Sequence, residues 1–476
     1  MLSSIRLCTR RAVRQPPYYG PRTLSTTTST TRRMTSPFVS ISPSSMSFSS
    51  TDTSTTTTTT TTKKNLSLYM WGTNTNGCIP YVDPKAVLDV PTKINLDLED
   101  GRLSSSTSTP ASLQKVVCGP SSTAILTTEG HCYTCGTNDV GQLGQGSTNP
   151  ILVPTLLCHP NNKDDNDDDN ADNATTNIPF QVDSIDLGSK FSALIDADGE
   201  LYTFGSDGSM GTGMGFLGHG NGLSTTVPTL VQSLGEDGIY ASQVVVGDSH
   251  MTVLTTTAAD DETPHLEEVL TTGAGSYGRL GNMETSLDSL YLEPVELLGT
   301  GEIAHVAGGH SFTFALTHNG QLYAWGRNDK GQLGTGLGLA VDMYAMEAMP
   351  VPLEADELVG RKVMDVAAGH SHAACVTEGG ELFFWGSGIY LEPYRVTTLL
   401  HTPIVKVSCG QDYTIALDEE GKLYTMGKGK TGVLGQASVK QLNQPALVEA
   451  LADKKVVSVH AGQSHVACLV EEEEDS

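Results

Sequence analysis

Histidine and aspartate side chains recur at one place in this sequence, one to three residues after a glycine, and these residue types could carry chemistry. The seven residues are Asp248, His250, His310, His370, His372, Asp412 and His465. Imidazole and carboxylate groups can move protons, bind metal ions, or form hydrogen bonds and ion pairs with another protein. Which of these uses applies depends on the elements that position the seven groups relative to one another.

Motifs typical of enzymes and cofactor sites occur here only in an unsuitable context. Segments 273–278 and 427–432 match the Gly-x-Gly-x-x-Gly dinucleotide fingerprint, but no helical pattern follows either of them. Cys132 and Cys135 have the spacing of a redox or zinc pair, yet positions three apart in a strand face opposite sides, and no second pair follows. The histidines on either side of Ser371 have no third ligand within their unit. Because the sequence also lacks a Ser-His-Asp arrangement, we expect no cofactor, no metal ion and no covalent catalysis.

Glycines repeat through the chain with a fixed spacing. In the unit at 306–334, Gly309 is followed by Gly320 after 11 residues and by Gly326 after 6 more, and a sixth unit at Gly247 has a longer hairpin. Four further units keep both spacings and begin at Gly119, Gly188, Gly369 and Gly410. Short apolar stretches lead to an Asp, Glu or Asn before the second glycine in most units, as in a strand that ends in a tight hairpin. Each unit is therefore predicted to be a small antiparallel sheet, and the series to be a β-propeller.

The two ends of the chain supply one more unit in two halves. Residues 462–469 carry a first half without a second, and residues 68–72 carry a second half without a first. Six complete units and these two halves make seven blades. The predicted fold class is all-β, a monomeric seven-bladed β-propeller over residues 65–470. Pairing of residues 66–71 with 465–470 would close it and leave no open sheet edge.

Two units depart from the common pattern. The unit after Gly386 lacks the closing Gly-x-Leu-Gly, and the unit at Gly205 is interrupted by residues 208–215. We expect irregular connections in these two blades.

The first 64 residues have the composition of a targeting segment rather than of a fold. Residues 1–34 carry seven arginines, no acidic residue and many serines and threonines, which favours a mitochondrial transit peptide. A disordered basic tail or a plastid transit peptide would have a similar composition. Residues 51–62 are nearly all threonine and are typical of a linker. Residues 1–64 are therefore predicted to be a transit peptide followed by a disordered linker. Residues 1–34 are predicted to direct the chain to mitochondria, with plastid, cytoplasmic and nuclear locations as the alternatives.

The rest of the 476-residue chain is strongly acidic. Residues 65–476 have a formal charge balance of −34, which repels phosphate backbones and makes DNA or RNA an unlikely main partner. Residues 161–173 contain six aspartates and residues 471–476 form an acidic tail, so both are predicted to be solvated segments. No apolar run reaches the length of a membrane span. We expect a protein partner, with basic ribosomal proteins among the candidates.

The full motif runs Gly-x-x-His-[Ser/Thr]-x-Ala-Leu, then Asp-Gly-x-Leu-Tyr-x-Trp-Gly-x-Asn-x-x-Gly-Gln-Leu-Gly. It resembles the regulator of chromosome condensation repeat family over residues 66–470. The resemblance implies a seven-bladed propeller, and the family's founding member loosens nucleotide on a small GTPase. It also implies that acidic and histidine side chains after the first glycine contribute to a GTPase-facing surface, and the seven residues above occupy matching positions. We therefore expect a non-enzymatic mitochondrial propeller that acts as a guanine-nucleotide exchange factor or regulator.

Other functions on the same fold stay open, since many relatives of this fold are not exchange factors. One is assembly or scaffolding of the mitochondrial ribosome or of a respiratory complex. Another is nuclear or cytosolic exchange, although the basic N-terminal segment has no lysine cluster. A tryptophan-based light sensor would need many interfacial tryptophans, whereas only Trp71, Trp325 and Trp385 exist, each at a strand position where burial explains it.

Overall fold

Strands make up nearly all of the regular structure in a computed structural model of the chain. The structure describes residues 65–98, 112–160, 178–235, 238–257, 267–295, 298, 302–337 and 345–472. The predictions for residues 1–64, 161–173 and 473–476 lie outside these described residues. Helical structure within the described ranges is limited to α1 (Gln232–Gly235) and 3-10 turns at Ser276–Gly278, Asp356–Leu358, Thr397–Leu399 and Glu449–Leu451.

The strands of the described residues are short, mostly five to eight residues long. In chain order they are β1 Leu66–Thr73, β2 Val87–Ile94, β3 Leu113–Cys118, β4 Ser122–Thr127, β5 Cys132–Gly136, β6 Ile151–Leu156, β7 Val182–Leu187, β8 Phe191–Asp196, β9 Leu201–Gly205, β10 Gly208–Ser209, β11 Gly213–Met214, β12 Thr225–Leu230, β13 Ile239–Val246, β14 His250–Thr257, β15 Glu267–Gly273, β16 Ser289–Pro294, β17 Ile303–Gly308, β18 Phe312–Thr317, β19 Leu322–Arg327, β20 Met346–Pro352, β21 Val363–Ala368, β22 His372–Thr377, β23 Leu382–Gly386, β24 Tyr390–Arg395, β25 Ile404–Cys409, β26 Tyr413–Asp418, β27 Leu423–Lys428, β28 Gln441–Leu447, β29 Lys455–Ala461 and β30 His465–Glu471.

Seven antiparallel four-stranded sheets form the blades of a β-propeller, as the glycine spacing predicted. Blade 1 contains β3 to β6, and blade 2 contains β7, β8, β9 and β12. Blades 3, 4, 5 and 6 contain β13–β16, β17–β20, β21–β24 and β25–β28. The seventh sheet, the closure blade, has the strand order β2-β1-β30-β29 and so combines the two ends of the described chain.

The closure blade confirms the predicted pairing of the terminal strands. Strand β1 runs antiparallel to β30 in continuous register, from Leu66 opposite Glu471 to Gly72 opposite His465. The pairing extends one residue beyond the predicted strand ends, into Glu471. Because β1 and β30 pair with each other and are flanked by β2 and β29, neither terminal strand is left with an open edge.

Both irregular connections are found where the motif fails. After Gly205 the chain forms a small extra hairpin of β10 and β11, and Met210 at its tip is 98% exposed. After Gly386 the chain reaches β24 through only three residues, and Ser387 takes a positive φ of 54° to make that short turn.

Tryptophans join neighbouring blades through hydrogen bonds to the Gly-x-Leu-Gly segments. The indole N–H of Trp385 in blade 5 donates to the carbonyl oxygen of Gln332 in blade 4 at 2.9 Å. Trp325 and Trp71 make the same contact with the preceding blades, at 3.1 and 2.8 Å. A Cβ at Gly334 would lie 2.8 Å from Nε1 of Trp385, so the closing glycine of the motif is what allows the indole ring to pack there.

We expect deletion of residues 66–72 to unfold the propeller. Leu68, Met70 and Trp71 on this strand are buried, and truncating even one such side chain costs about 2–5 kcal/mol, against a typical domain stability of about 5–15 kcal/mol. Circular dichroism during heating should show loss of the cooperative transition. Deletion of residues 1–62 is the control and should leave the melting temperature unchanged; a wild-type transition in the 66–72 deletion would contradict the closure blade.

Candidate partner-binding site at the mouth of the channel

The innermost strand of each blade lines a central channel, whose cavity has a volume of about 430 Å³. Each innermost strand ends at the first glycine of its repeat, and a two-residue loop then leads to the second strand. The seven loops are 120–121, 189–190, 248–249, 310–311, 370–371, 411–412 and 463–464. They lie at one end of the channel, which we call the mouth, and adjacent loops are linked where the Asp248 amide donates to the His310 carbonyl at 3.1 Å.

The seven candidate residues divide into two groups. Asp248, His310, His370 and Asp412 stand in the loops and are exposed or half-buried at the mouth. His250, His372 and His465 stand three residues after the glycine, at the start of the second strand, and are buried between blades. A partner docked at the mouth of this structure would not reach the second group.

The three buried histidines are hydrogen-bonded to threonines of the following blade. The Nε2 atoms of His250, His372 and His465 lie 3.1, 3.1 and 2.9 Å from the hydroxyl oxygens of Thr313, Thr414 and Thr123. Blades that carry an aromatic residue at this position are followed by a non-hydroxyl residue instead, in the pairs Phe191/Met251, Phe312/Ala373 and Tyr413/Val466. The side chain at this position and its neighbour across the blade interface are therefore matched in polarity: histidine faces a threonine hydroxyl, and an aromatic ring faces an apolar side chain.

Asp248 is the centre of a polar cluster at the mouth. Its carboxylate accepts hydrogen bonds from the Ser189 hydroxyl at 2.8 Å and from the Lys190 ammonium at 3.0 Å, both on the loop of blade 2. Burial favours the neutral acid, but the Ser189 hydrogen bond and the Lys190 charge outweigh it and lower the pKa of Asp248 to about 2. Asp248 is therefore a fixed negative charge that joins two blades.

His310 and His370 extend this cluster across the next two blades. Nε2 of His310 lies 3.8 Å from the Asp248 carboxylate, and its ring centroid lies 4.2 Å from that of His370. Burial lowers the pKa of His310 to about 4 despite the nearby carboxylate. At neutral pH, His310 is therefore an uncharged donor and acceptor rather than the cation of an ion pair. Asp412 lies apart from this cluster, with its carboxylate 3.6 Å from the Lys428 ammonium.

The seven candidates did not include several charged residues that share the mouth. Arg327 forms a bidentate pair with Asp329, at 2.8 and 2.7 Å, and its guanidinium carbon lies 4.8 Å from the ring centroid of Tyr277. Arg327 directly follows the Trp-Gly of its repeat, and strand alternation brings that point to the same end as the first loop. Position in the repeat could therefore have identified Arg327. Lys190, two residues after Gly188, was missed because only acidic and histidine side chains were expected at these positions.

Two features, a metal-binding cluster and a membrane-spanning helix, are absent from the described residues. No group of three or more His, Cys, Asp or Glu side chains within the described ranges is placed to hold a metal ion. No helix of the described ranges is long and apolar enough to cross a membrane. The fold and the polar mouth define a propeller interaction module.

Sequence comparison then identifies the family. One model of the regulator of chromosome condensation (RCC1) repeat matches residues 129–166, 267–316, 319–376 and 420–469, and a second matches 114–142, 303–332 and 404–432. The chain belongs to the RCC1 repeat family.

The relatives are diverse. The human E3 ubiquitin-protein ligase HERC2 is 27% identical over 412 residues, which cover 84% of this chain but only 7% of HERC2. The mitochondrial RCC1 domain-containing protein RUG3 of Arabidopsis thaliana is 30% identical over 59% of this chain and 61% of its own length. The crystal structure of Prp20p from Saccharomyces cerevisiae, described with its binding to Gsp1p and histones, superimposes with a TM-score of 0.67. It is 19% identical and covers 87% of this chain and 93% of Prp20p, which supports the shared fold.

The free energy of unfolding should decrease as the pH falls, because three histidines are buried in an uncharged state. Burial lowers the pKa of His250 to about 3 and the pKa values of His372 and His465 to about 4, below the ordinary value of about 6.5 kept in the unfolded chain. The unfolded chain therefore binds more protons as pH falls below about 6.5, and each histidine should remove about 2 kcal/mol of stability by pH 4.5. Above pH 6.5 these groups should contribute no slope.

Urea unfolding at several pH values measures this effect, and the chain offers a matched variant. The double substitution His372→Phe/Thr414→Ala reproduces the natural Phe312/Ala373 pair and should fold with a shallower loss of stability between pH 6.5 and 4.5. An unchanged slope would show that His372 does not titrate on unfolding.

Proposed function

We propose that this protein is a mitochondrial propeller that binds a small GTPase at the mouth of its channel and promotes release of the guanine nucleotide. The observation that carries the proposal is the cluster of Asp248, Lys190, His310 and His370, presented by loops of four adjacent blades at one end of a closed ring. Membership of the RCC1 repeat family and the similarity to a mitochondrial relative support it.

The proposed activity needs binding energy and no covalent step. If the propeller binds the nucleotide-free GTPase more tightly than the loaded form, linkage requires that it weaken nucleotide binding by the same factor. A rigid support favours this, because a surface that does not deform keeps its preference for one form of the partner. The hydrogen bonds that the tryptophans and buried histidines make between neighbouring blades hold the loops of the mouth rigidly in place.

The extra hairpin of blade 2 adds an apolar element beside this cluster. It begins directly after Gly205, where the amide of Ser206 donates to the carbonyl of Lys190 at 2.9 Å, so it leaves the ring at the mouth end. The Met210 side chain at its tip is almost fully exposed. An exposed methionine next to charged loops suits a surface that a protein partner covers.

The mouth cluster is tested by paired histidine substitutions. We expect His310→Ala/His370→Ala to reduce capture of the GTPase from mitochondrial extract, and release of fluorescent GDP from it, at least about tenfold, the loss of about 1.4 kcal/mol of binding. The melting temperature should change little, because both side chains are at least one third exposed. The control is His318→Ala/His401→Ala, two exposed histidines at the opposite ends of their blades, which should leave capture intact.

Two results would contradict this assignment. One is retained capture with a large drop in melting temperature, which would mark His310 and His370 as structural contacts. The other is recovery of ribosomal proteins without any GTPase, which would favour an assembly factor, a role that the acidic surface of residues 65–476 also suits.

The mitochondrial part of the proposal has its own test. Replacement of Arg6, Arg10, Arg11 and Arg14 with glutamate reverses the charge of the predicted transit peptide, so a fluorescent fusion should stay in the cytosol. Substitution of the same arginines by lysine keeps the charge and should preserve import. Import of the glutamate variant would exclude residues 1–34 as the targeting signal.

A further inference from the structure

One layer of the channel wall carries polar side chains that the mouth does not use. In six of the seven blades, the side chain four residues before the first glycine points into the channel, and these side chains are Lys115, Ser184, Gln243, His305, Asp365 and Lys406. Gln243 is occupied, since its amide exchanges two hydrogen bonds with the backbone of Val306. The two lysines are the cations of this layer.

Lys115 and Lys406 lie on β3 and β25, the innermost strands on either side of the closure blade. The structure shows no hydrogen bond or ion pair from either ammonium group to a described residue. Both side chains are exposed to the channel rather than packed inside a blade. The surrounding channel wall and, further, the charge of Lys406 lower the pKa of Lys115, so the two cations lie within electrostatic range of each other.

The carboxylates of the channel wall are directed to the backbone rather than to the lysines. Asp186 accepts hydrogen bonds from the amides of Val246 and Leu187 at 2.7 and 3.0 Å. Asp365 accepts one from the amide of Val407 at 2.9 Å. These acids join adjacent blades and offset the lysine charges only at longer range.

His460 on β29 supplies a further donor between the two lysines. Its Nδ1 accepts a hydrogen bond from the amide of Cys118 at 3.1 Å. Burial lowers the pKa of His460 to about 3, so the ring is neutral and its proton is on Nε2. Three consecutive innermost strands therefore present Lys406, His460 and Lys115 to the same cavity.

We propose that the central channel binds a compact polyvalent oxyanion of the phosphate class, held by Lys115, Lys406 and His460. A ligand with at least two negative charges would offset the repulsion between the two lysine ammonium groups. Its oxygens would accept the hydrogen bonds that the three side chains can donate. The cavity of about 430 Å³ is within the range of small-molecule sites. Because the chain as a whole carries a net charge of −26, such binding must come from these local donors rather than from a general attraction for anions. The site lies inside the ring, so the proposal does not rest on the proposed GTPase activity.

Titration calorimetry of the full chain with pyrophosphate, at physiological salt and with a chelator present, tests the site. We expect one pyrophosphate per chain, and Lys115→Met or Lys406→Met should each weaken binding about tenfold or more, the loss of one charge-assisted contact. Methionine keeps the length and apolar stem of lysine, and removal of one of two repelling charges should leave the melting temperature equal or higher. Lys85→Met, at an exposed surface position, is the matched control and should bind as the wild type does.

Further ligands and variants separate the remaining outcomes. Lys406→Arg keeps the charge and should retain binding. GDP that competes with pyrophosphate and depends on the same lysines would identify a nucleotide as the phosphate source, whereas pyrophosphate binding without competition would identify a free phosphate compound. Absence of pyrophosphate binding at millimolar concentration, equal binding by the methionine variants, or binding of a polyglutamate peptide in place of pyrophosphate would overturn the proposal.

Discussion

A single blade is one repeat unit that cannot bury its apolar faces alone, and here each sheet is covered on both faces by its two neighbours. The apolar clusters follow this rule, since Phe312 and Leu333 of blade 4 pack in one cluster with Phe383 and Trp385 of blade 5. Every blade can have both of its apolar faces covered only if the last blade of the series packs against the first. Closure of the ring through β1 and β30 is therefore the condition on which every other blade depends.

The contacts that close each blade interface also explain the repeated motif. The closing glycine makes room for the indole of the next blade, and the first glycine lies under the ring three residues later, where a Cβ at Gly309 would be 2.4 Å from the Phe312 ring. The residue at that third position then contacts the second residue of the second strand in the following blade. Histidine is paired with threonine at three of these interfaces, and an aromatic ring is paired with an apolar residue at others.

The same geometry leaves the loop residues between these fixed points free to vary. His310 and His370 are held by a rigid frame but contribute little to it, so the mouth can differ among members of the family without loss of the fold. The channel wall is constrained in a different way. Asp186, Gln243 and Asp365 bond to the next blade, while Lys115 and Lys406 do not, which is why the lysines stand out as groups available to a ligand.

The sequence by itself determined the strand pattern, the number of blades and the pairing of residues 66–71 with 465–470. It could do so because glycine spacing and the alternation of apolar residues are local properties, and the same pattern recurs in each repeat. The family resemblance also implied that acidic and histidine side chains after the first glycine would contribute to one surface. The sequence did not distinguish His310, at the surface, from His250, which lies two positions further along its own repeat and is fully buried. In both cases the chemistry of the side chain is the same, and only the packing of one blade against the next decides whether the ring faces solvent or a threonine. The placement of Lys190 beside Asp248, and of Lys115 and Lys406 on either side of β29, was likewise decided by the tertiary structure. Those contacts join residues on different blades, and no local spacing in the chain encodes their distance.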